Sequence, residues 1–322
     1  MRLTAGAVNS VVVGRYIRPD TTLAYERFAS MQQLGKVAQR RGIPWVLETQ
    51  GPFFMEASAD RRTMLLTDLA KRIELDAYRR CDVLICVSSA LRDLVVEASG
   101  IDPSKVLVVP NGVDGTTFDP AATPRLRLTD EETFTIGYVG SLPRWQALDR
   151  LFESIVRVRS RLGEVAIVIV GTGAMCEAWE RHAEALGLSD VVHWVGAVSR
   201  DDIPTYIQGM DVGFSGQIPS SAGSMYHSPL KLYEYQAMGV PFVASSFEDA
   251  RSLAETTGGG VLFEAGYDDS LDNAILEAHR LHRAGHFGRD VIRSRTLRYH
   301  SWEQRVGQIL EGVEDVLQRR LS

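Results

Sequence analysis

The sequence predicts an α/β protein built from two parallel-sheet domains, and three observations carry that expectation. Short apolar runs rich in valine and isoleucine alternate with helix-like stretches along almost the whole chain, the pattern of parallel sheets covered on both faces. At 322 residues, 45% of them hydrophobic and 24% charged, the chain is long enough to bury two full cores. A polar, proline-bearing connection at 119–132 separates two series of such elements.

In the first series the runs SVVV, WVLE, VLICV and VLVV place strands at 10–13, 45–48, 83–87 and 106–109. Helices are expected between them at 24–41, 61–80 and 89–98. The second series reads as strands at 134–139, 165–170, 191–195, 212–214, 242–244 and 260–263, with helices at 146–162, 176–186, 201–208 and 271–283. These series define domains at 1–120 and 121–300. A last amphipathic helix, 301–320, carries Trp302, Val306, Ile309, Leu310, Val313 and Leu317 on one side and must dock that side somewhere.

A formal charge of −6 gives no basic field for nucleic acid. Cys81, Cys86 and Cys176 lack CxxC spacing and read as small buried hydrophobes in a reducing compartment, with no disulfide expected. The N-terminal apolar run is too short for a signal peptide or a membrane span, so a cytoplasmic protein is expected. Arg40-Arg41 and Arg61-Arg62 are the candidate peripheral contacts to a membrane face.

The stretch SPLKLYEYQAMGVPFVAS, 228–245, reads as a helix begun by Ser228 and Pro229 and ended by Gly239 and Pro241. Leu230, Tyr233 and Ala237 are expected to share its apolar face. Lys231 and Glu234 then lie in the first two turns, where free amides and the helix dipole favour an anion. Two readings stay open: a surface ion pair, or an anion site whose carboxylate awaits ligand hydroxyls.

Other junctions at strand ends bear on chemistry. Gly140 follows a strand directly, so backbone can approach a phosphate there, with Arg144 nearby to neutralise it; a tight turn beside a solvated arginine is the alternative. The turn VGTG at 170–173 lacks the third glycine of a dinucleotide loop, Cys176 standing in its place, and is read mainly as structure. Gly196, Ala197 and Val198 leave a strand with small residues that could meet a nucleobase edge. His193 is expected in the core. His279, His282 and His286 lack the partners of a metal site, and no G-x-S-x-G elbow supports a serine nucleophile. Gln50 closes a first-series strand facing the likely crevice.

The ordered set Val87-Ser88, PNGVD (110–114), GYVGSL (137–142), VIVGTG, VHWVGAV and SPLKLYEYQAMGVPFVAS resembles the GT-B glycosyltransferases of the large retaining group called glycosyl transferases group 1, or family 4. The resemblance implies GT-B architecture: two Rossmann-like domains facing across a cleft, with the last helix, 301–322, crossing back to the first domain. It implies a nucleoside-diphosphate sugar as donor and a hydroxyl of a glycan, lipid-linked sugar or small molecule as acceptor. Retention of configuration follows from the family, with no cofactor and no obligatory metal. Position by position, Glu234 matches the carboxylate on the donor ribose; Leu230 and Lys231 lie at the diphosphate, Gly140 and Ser141 beneath it, and Gly196 to Val198 at the base.

The departures are specific. Tyr226 stands where the first of the family's paired glutamates falls, eight positions before Glu234, with His227 beside it. Ser141 and Gln146 occupy the usual arginine and lysine positions, leaving Arg144 and Lys231 as substitutes. Gln50 replaces a frequent histidine. Gln50, Tyr226 and His227 are therefore the catalytic-side candidates. Only about 110 residues precede PNGVD, so the N-terminal domain is expected to be incomplete, lacking its opening strand. The alternative function is a non-catalytic nucleotide-sugar-binding subunit that needs a second protein; a nicotinamide-dependent dehydrogenase rests only on the GTG turn.

Overall fold

The computed structural model describes residues 12, 14–30, 32–55, 67–219 and 225–319. The chain divides into two compact units. The first comprises Met1–Pro110, Tyr226–Ser228 and Arg305–Ser322, and the second Asn111–Met225 and Pro229–Gln304.

In the first unit four parallel strands, β1 (Ala24–Arg27), β2 (Trp45–Thr49), β3 (Val83–Cys86) and β4 (Val106–Val108), pair in sequence order. Helices α1 (Gly35–Gln39), α2 (Thr67–Arg80) and α3 (Ser89–Ser99) connect them. The Ser88 hydroxyl caps α3 by accepting from the Leu91 amide, and Gly100, left-handed at φ +67°, closes it. The expected 24–41 helix is corrected here. Ala24–Arg27 is an edge strand with alternating exposure, and only Gly35–Gln39 is helical. The Glu26 carboxylate accepts from the amides of Leu34 and Gly35, so a residue typical of helices serves here to cap the next one. The 10–13 strand falls on residues outside those described, Val12 excepted, as do 61–66 of the expected second helix.

The second unit holds a six-stranded parallel sheet of order β10-β9-β8-β5-β6-β7. Its strands are β5 (Phe134–Val139), β6 (Val165–Val170), β7 (Val192–Gly196), β8 (Val212–Ser215), β9 (Phe242–Ser245) and β10 (Gly260–Phe263). Helices α4 (Leu148–Leu162), α5 (Cys176–Ala185), α6 (Ile203–Gln208), α7 (Leu230–Ala237), α8 (Glu248–Thr257), α9 (Asp268–Arg283) and α10 (Arg289–His300) cover it. One core, with Phe134, Leu151, Phe152, Ile167 and Phe214, lies under α4 and α9. The other, with Val139, Tyr233, Tyr235, Phe242 and Leu253, lies under α7 and α8. The strand order reverses between β5 and β8, which makes their carboxyl ends the topological switch point.

The amino ends of those two strands are locked. Arg127, its side chain only 6% exposed, forks onto Asp211 at 3.0 Å to each oxygen. Asp211 also accepts from the Thr135 amide at 2.8 Å and returns its own amide to the Thr135 carbonyl.

The last helix, α11 (Trp302–Arg319), docks by only part of the expected face, Ile309, Val313 and Leu317. Arg305, Val313 and Val316 are buried, and the two valines pack with Val46, Val83 and Ile85 of the first unit. Trp302, Val306 and Leu310 are exposed. The helix carries two apolar stripes, and the one with small β-branched residues lies against the valine-rich strands. His193 is half-buried rather than in the core. His279 and His282 pack their rings on Phe134, and among the described residues no group of three metal-ligating side chains forms. No described helix is long and apolar enough to cross a membrane.

Asp211→Ala is expected to lower stability by about 3–5 kcal/mol, because it strands the buried Arg127 charge. Urea unfolding measures it; a loss near zero would show that the pair does not hold the strand ends together.

Candidate functional site

The carboxyl ends of β5, β6 and β7 are stitched together through backbone. The Gly140 amide donates to the Val170 carbonyl at 2.9 Å, and the Gly171 amide to the Gly196 carbonyl at 2.8 Å. Leu142 exchanges bonds with the next loop, its amide donating to Thr172 and its carbonyl accepting from Met175. Gly140 and Gly171 have φ of +131° and +138°, and a Cβ on Gly171 would sit 1.9 Å from the Gly140 oxygen. The GTG turn therefore exists for close backbone packing. Gly196, at φ +79°, ends β7; Ala197 is exposed, and Val198 packs against the α7-side core.

At the switch point the strands part. The β5–β8 ladder covers only Ile136↔Val212 and Gly137↔Gly213. Beyond it the Tyr235 hydroxyl fills the gap, accepting from the Val139 amide at 3.0 Å and donating to the Phe214 carbonyl at 3.4 Å. Tyr235 belongs to α7, which is buried on nearly every side: Lys231, Leu232, Tyr233, Tyr235, Gln236 and Ala237 are all inside.

Of the two readings left open for Lys231 and Glu234, the surface ion pair is excluded, because Lys231 is only 9% exposed. Its ammonium donates to the Gln146 Oε1 at 2.9 Å and stands 4.0 Å over the Tyr138 ring. It lies 3.5 Å from where a Cβ on Gly140 would be. No carboxylate comes within ion-pair distance of it among the described residues. Burial pushes its pKa down to about 7, with Glu234 acting weakly in the opposite direction. Burial also raises the Glu234 carboxyl, while Arg200 and Lys231 pull it back. Glu234 has no hydrogen-bond donor among the described residues.

The start of α7 is corrected as well. Pro229, not Ser228, is the N-cap, and proline has no side-chain group to cap the helix. Leu230, the first helical residue, is 42% exposed rather than part of an apolar face. Ser141 is exposed, and its carbonyl accepts from the Tyr138 hydroxyl at 2.6 Å. Arg144 is exposed in a short 3-10 turn, Arg144–Gln146, and makes no ion pair among the described residues.

The structure therefore brings Gly140, Ser141, Lys231 and Glu234 to one end of one sheet. Gly196 joins them through the Gly171 bond. Gln50, Tyr226 and His227 belong to the first unit. Gln50 Nε2 donates to Glu48, which also accepts from the Tyr25 hydroxyl. Tyr226 is buried, its ring centroid 4.3 Å from that of His227, and its carbonyl accepts from the Ser88 hydroxyl at 2.8 Å. Sequence reasoning missed Gln146 as the partner of Lys231, Arg200 beside Glu234, and the bridging role of Tyr235.

Two family models match the chain: Glycosyl transferases group 1 over residues 133–280 and Glycosyltransferase Family 4 over 15–116. The chain belongs to this glycosyltransferase family. The UDP-Gal:alpha-D-GlcNAc-diphosphoundecaprenol alpha-1,3-galactosyltransferase of Escherichia coli is 26% identical over 254 residues, 76% of this chain and 62% of that one. A D-inositol 3-phosphate glycosyltransferase of Stackebrandtia nassauensis is 27% identical over 256 residues, 74% of this chain and 55% of its own length. The chain thus spans between about half and two thirds of the length of these relatives. Among solved structures, Anabaena Alr3699/HepE in complex with UDP superposes with a TM-score of 0.71 at 16% identity, covering 96% of this chain and 81% of that one. Sucrose-phosphate synthase from Thermosynechococcus elongatus gives 0.70 at 16% identity, over 99% and 78%. The likeness is one of fold, and the fold is GT-B.

Gly171→Ala is expected to cost about 3 kcal/mol, combining positive-φ strain with the clash against Gly140. Thermal unfolding would register it as a clear fall in Tm. An unchanged Tm would mean that the two loops do not depend on each other.

Proposed function

We propose that the chain transfers a sugar from a nucleoside-diphosphate donor to a hydroxyl acceptor with retention of configuration, the acceptor being a glycan, a lipid-linked sugar or a small molecule. The observation that carries this reading is the coincidence, at the switch point, of a glycine-lined strand end, a buried lysine and a carboxylate without a protein donor. In this reading the Leu230 and Lys231 amides and the Gly140-Ser141 backbone hold the diphosphate. Glu234 accepts from the ribose hydroxyls, and Gly196 to Val198 meet the base. Negative charge grows on the departing diphosphate as the glycosidic bond breaks. Fixed amides and the cations Arg144 and Lys231 stabilise that charge without a metal or a protein nucleophile. Gln50, Tyr226 and His227 would serve the sugar and the acceptor. The relatives lend support, since one is named for a UDP-galactose donor and a diphospholipid acceptor and HepE was solved with UDP.

A second reading, a donor-binding subunit that acts only with another protein, is favoured by one observation. Where the resemblance places a carboxylate, this chain has the buried phenol of Tyr226. In either reading the work proceeds in the cytoplasm, at or near a membrane face.

A calorimetric panel of UDP-, GDP- and ADP-sugars tests donor binding, and a transfer assay on the isolated chain separates the two readings. Glu234→Ala is expected to weaken the bound nucleotide sugar by tenfold or more, about 1.5–3 kcal/mol for lost hydrogen bonds to a charged group. Unchanged affinity in that variant would remove Glu234 from the donor site.

A further inference from the structure

Lys231 is an anomaly within its own fold. A buried ammonium is costly unless an anion accompanies it, and this one has an amide oxygen and an aromatic face instead. The groups around it supply no full counter-charge. Tyr138 and Tyr235 are neutral phenols whose ionisation burial suppresses. Gln146 is uncharged. Glu234, one turn along the same helix, makes no ion pair with Lys231 among the described residues, and its carboxyl is itself pushed up by burial. Arg200, beyond Glu234, is of like sign, and Arg144 is exposed.

A further close neighbour is Gly140. The absence of a side chain there leaves the ammonium within a few ångströms of the strand end. A larger residue at 140 would lie between Lys231 and anything seated on that loop.

We infer that Lys231 is a cation whose counter-ion is the ligand: a pyrophosphate diester seated at Gly140 supplies the missing negative charge, and its arrival draws a proton from solvent onto the lysine amine. This deepens the donor-site reading and rests on it. In the free protein the lysine is only partly charged near neutrality, since burial brings its pKa to about 7. An adjacent dianion favours the ammonium and raises that value. The sign follows. Below about pH 7 the lysine is already protonated and binding takes up no proton. Above it, each binding event takes up as much as one proton, and affinity falls by up to about tenfold per pH unit until the pKa of the complex is reached.

The test is calorimetry of the full chain with UDP-, GDP- and ADP-glucose, whose pyrophosphate diester does not titrate near neutrality, in Tris and in HEPES. The two buffers differ in ionisation enthalpy, so the difference in measured heat counts protons. At about pH 8 an uptake approaching one proton is expected, and at about pH 6 an uptake near zero. Lys231→Met should remove the uptake and weaken binding tenfold or more. Because it takes a charge out of the interior, it should leave the ligand-free Tm unchanged or higher, which separates lost function from lost folding. Binding with no proton uptake at about pH 8 overturns the inference while leaving the donor site standing. Uptake that persists in Lys231→Met overturns it too. If none of the three sugars binds, the donor-site reading fails and the inference falls with it.

Discussion

The second unit depends on how β5 and β8 run. Asp211 and Arg127 pin their amino ends, two residue pairs hold the middle, and Tyr235 stands between them at the carboxyl end. Strands held at one end and wedged at the other part toward their carboxyl ends. Gly137 and Gly213 permit this geometry. A Cβ on the first would sit 1.9 Å from the Met210 sulfur, and on the second 2.3 Å from the Tyr235 ring. The parting of the two strands is therefore packed into place by its neighbours.

The same wedge explains why the helix beginning at Leu230 is buried almost all round. To place the Tyr235 hydroxyl between two strands, α7 must sink into the layer that other helices only cover. Sinking it takes Lys231 and Gln236 inside as well. Gln236 Nε2 finds the Gly259 carbonyl at 2.8 Å, while its Oε1 remains without a partner. Lys231 finds an amide and a ring. The polar cost of inserting this helix thus falls on Lys231 and Gln236.

Much of the fold was legible because β5, β6 and β10 are β-branched or aromatic runs bounded by glycine or charge, and their limits coincide with the expected ones. Ala24–Arg27 was not legible: a strand at a sheet edge carries Tyr25, Glu26 and Arg27 in a mixture that a helix surface would also accept. Trp302, Val306 and Leu310 were misplaced on the docking face of α11 for a related reason, since its period admits two apolar stripes and only the facing sheet chooses between them. At the site, Glu234 and Gly140 could be named from spacing and strand ends. The burial of Lys231 could not, because the group that accepts its proton lies 85 residues away in sequence. A helical wheel reports which residues share a face; it cannot report that only Leu230 and Glu234 of this helix keep access to solvent.

The pairing of buried charge gives the sheet a direction. At the amino ends the buried charges of Arg127 and Asp211 are matched by five bonds from the guanidinium alone, to two carboxylate oxygens and the carbonyls of Gly209, Thr133 and Asp130. At the carboxyl ends the pairing differs. Ser215 Oγ and Gln217 Oε1, at and just beyond the end of β8, are buried without partners among the described residues, and the Lys231 ammonium meets an amide oxygen and a ring rather than a carboxylate. An unmatched buried polar atom costs about 1–3 kcal/mol, and Gln208 Oε1 and Gln236 Oε1 carry the same cost elsewhere in this unit. What sets the carboxyl end apart is charge: the buried cation at the amino ends has its carboxylate within the protein, whereas Lys231 has an amide oxygen and a ring, so an anionic guest beside it would complete a pairing that the amino end already holds.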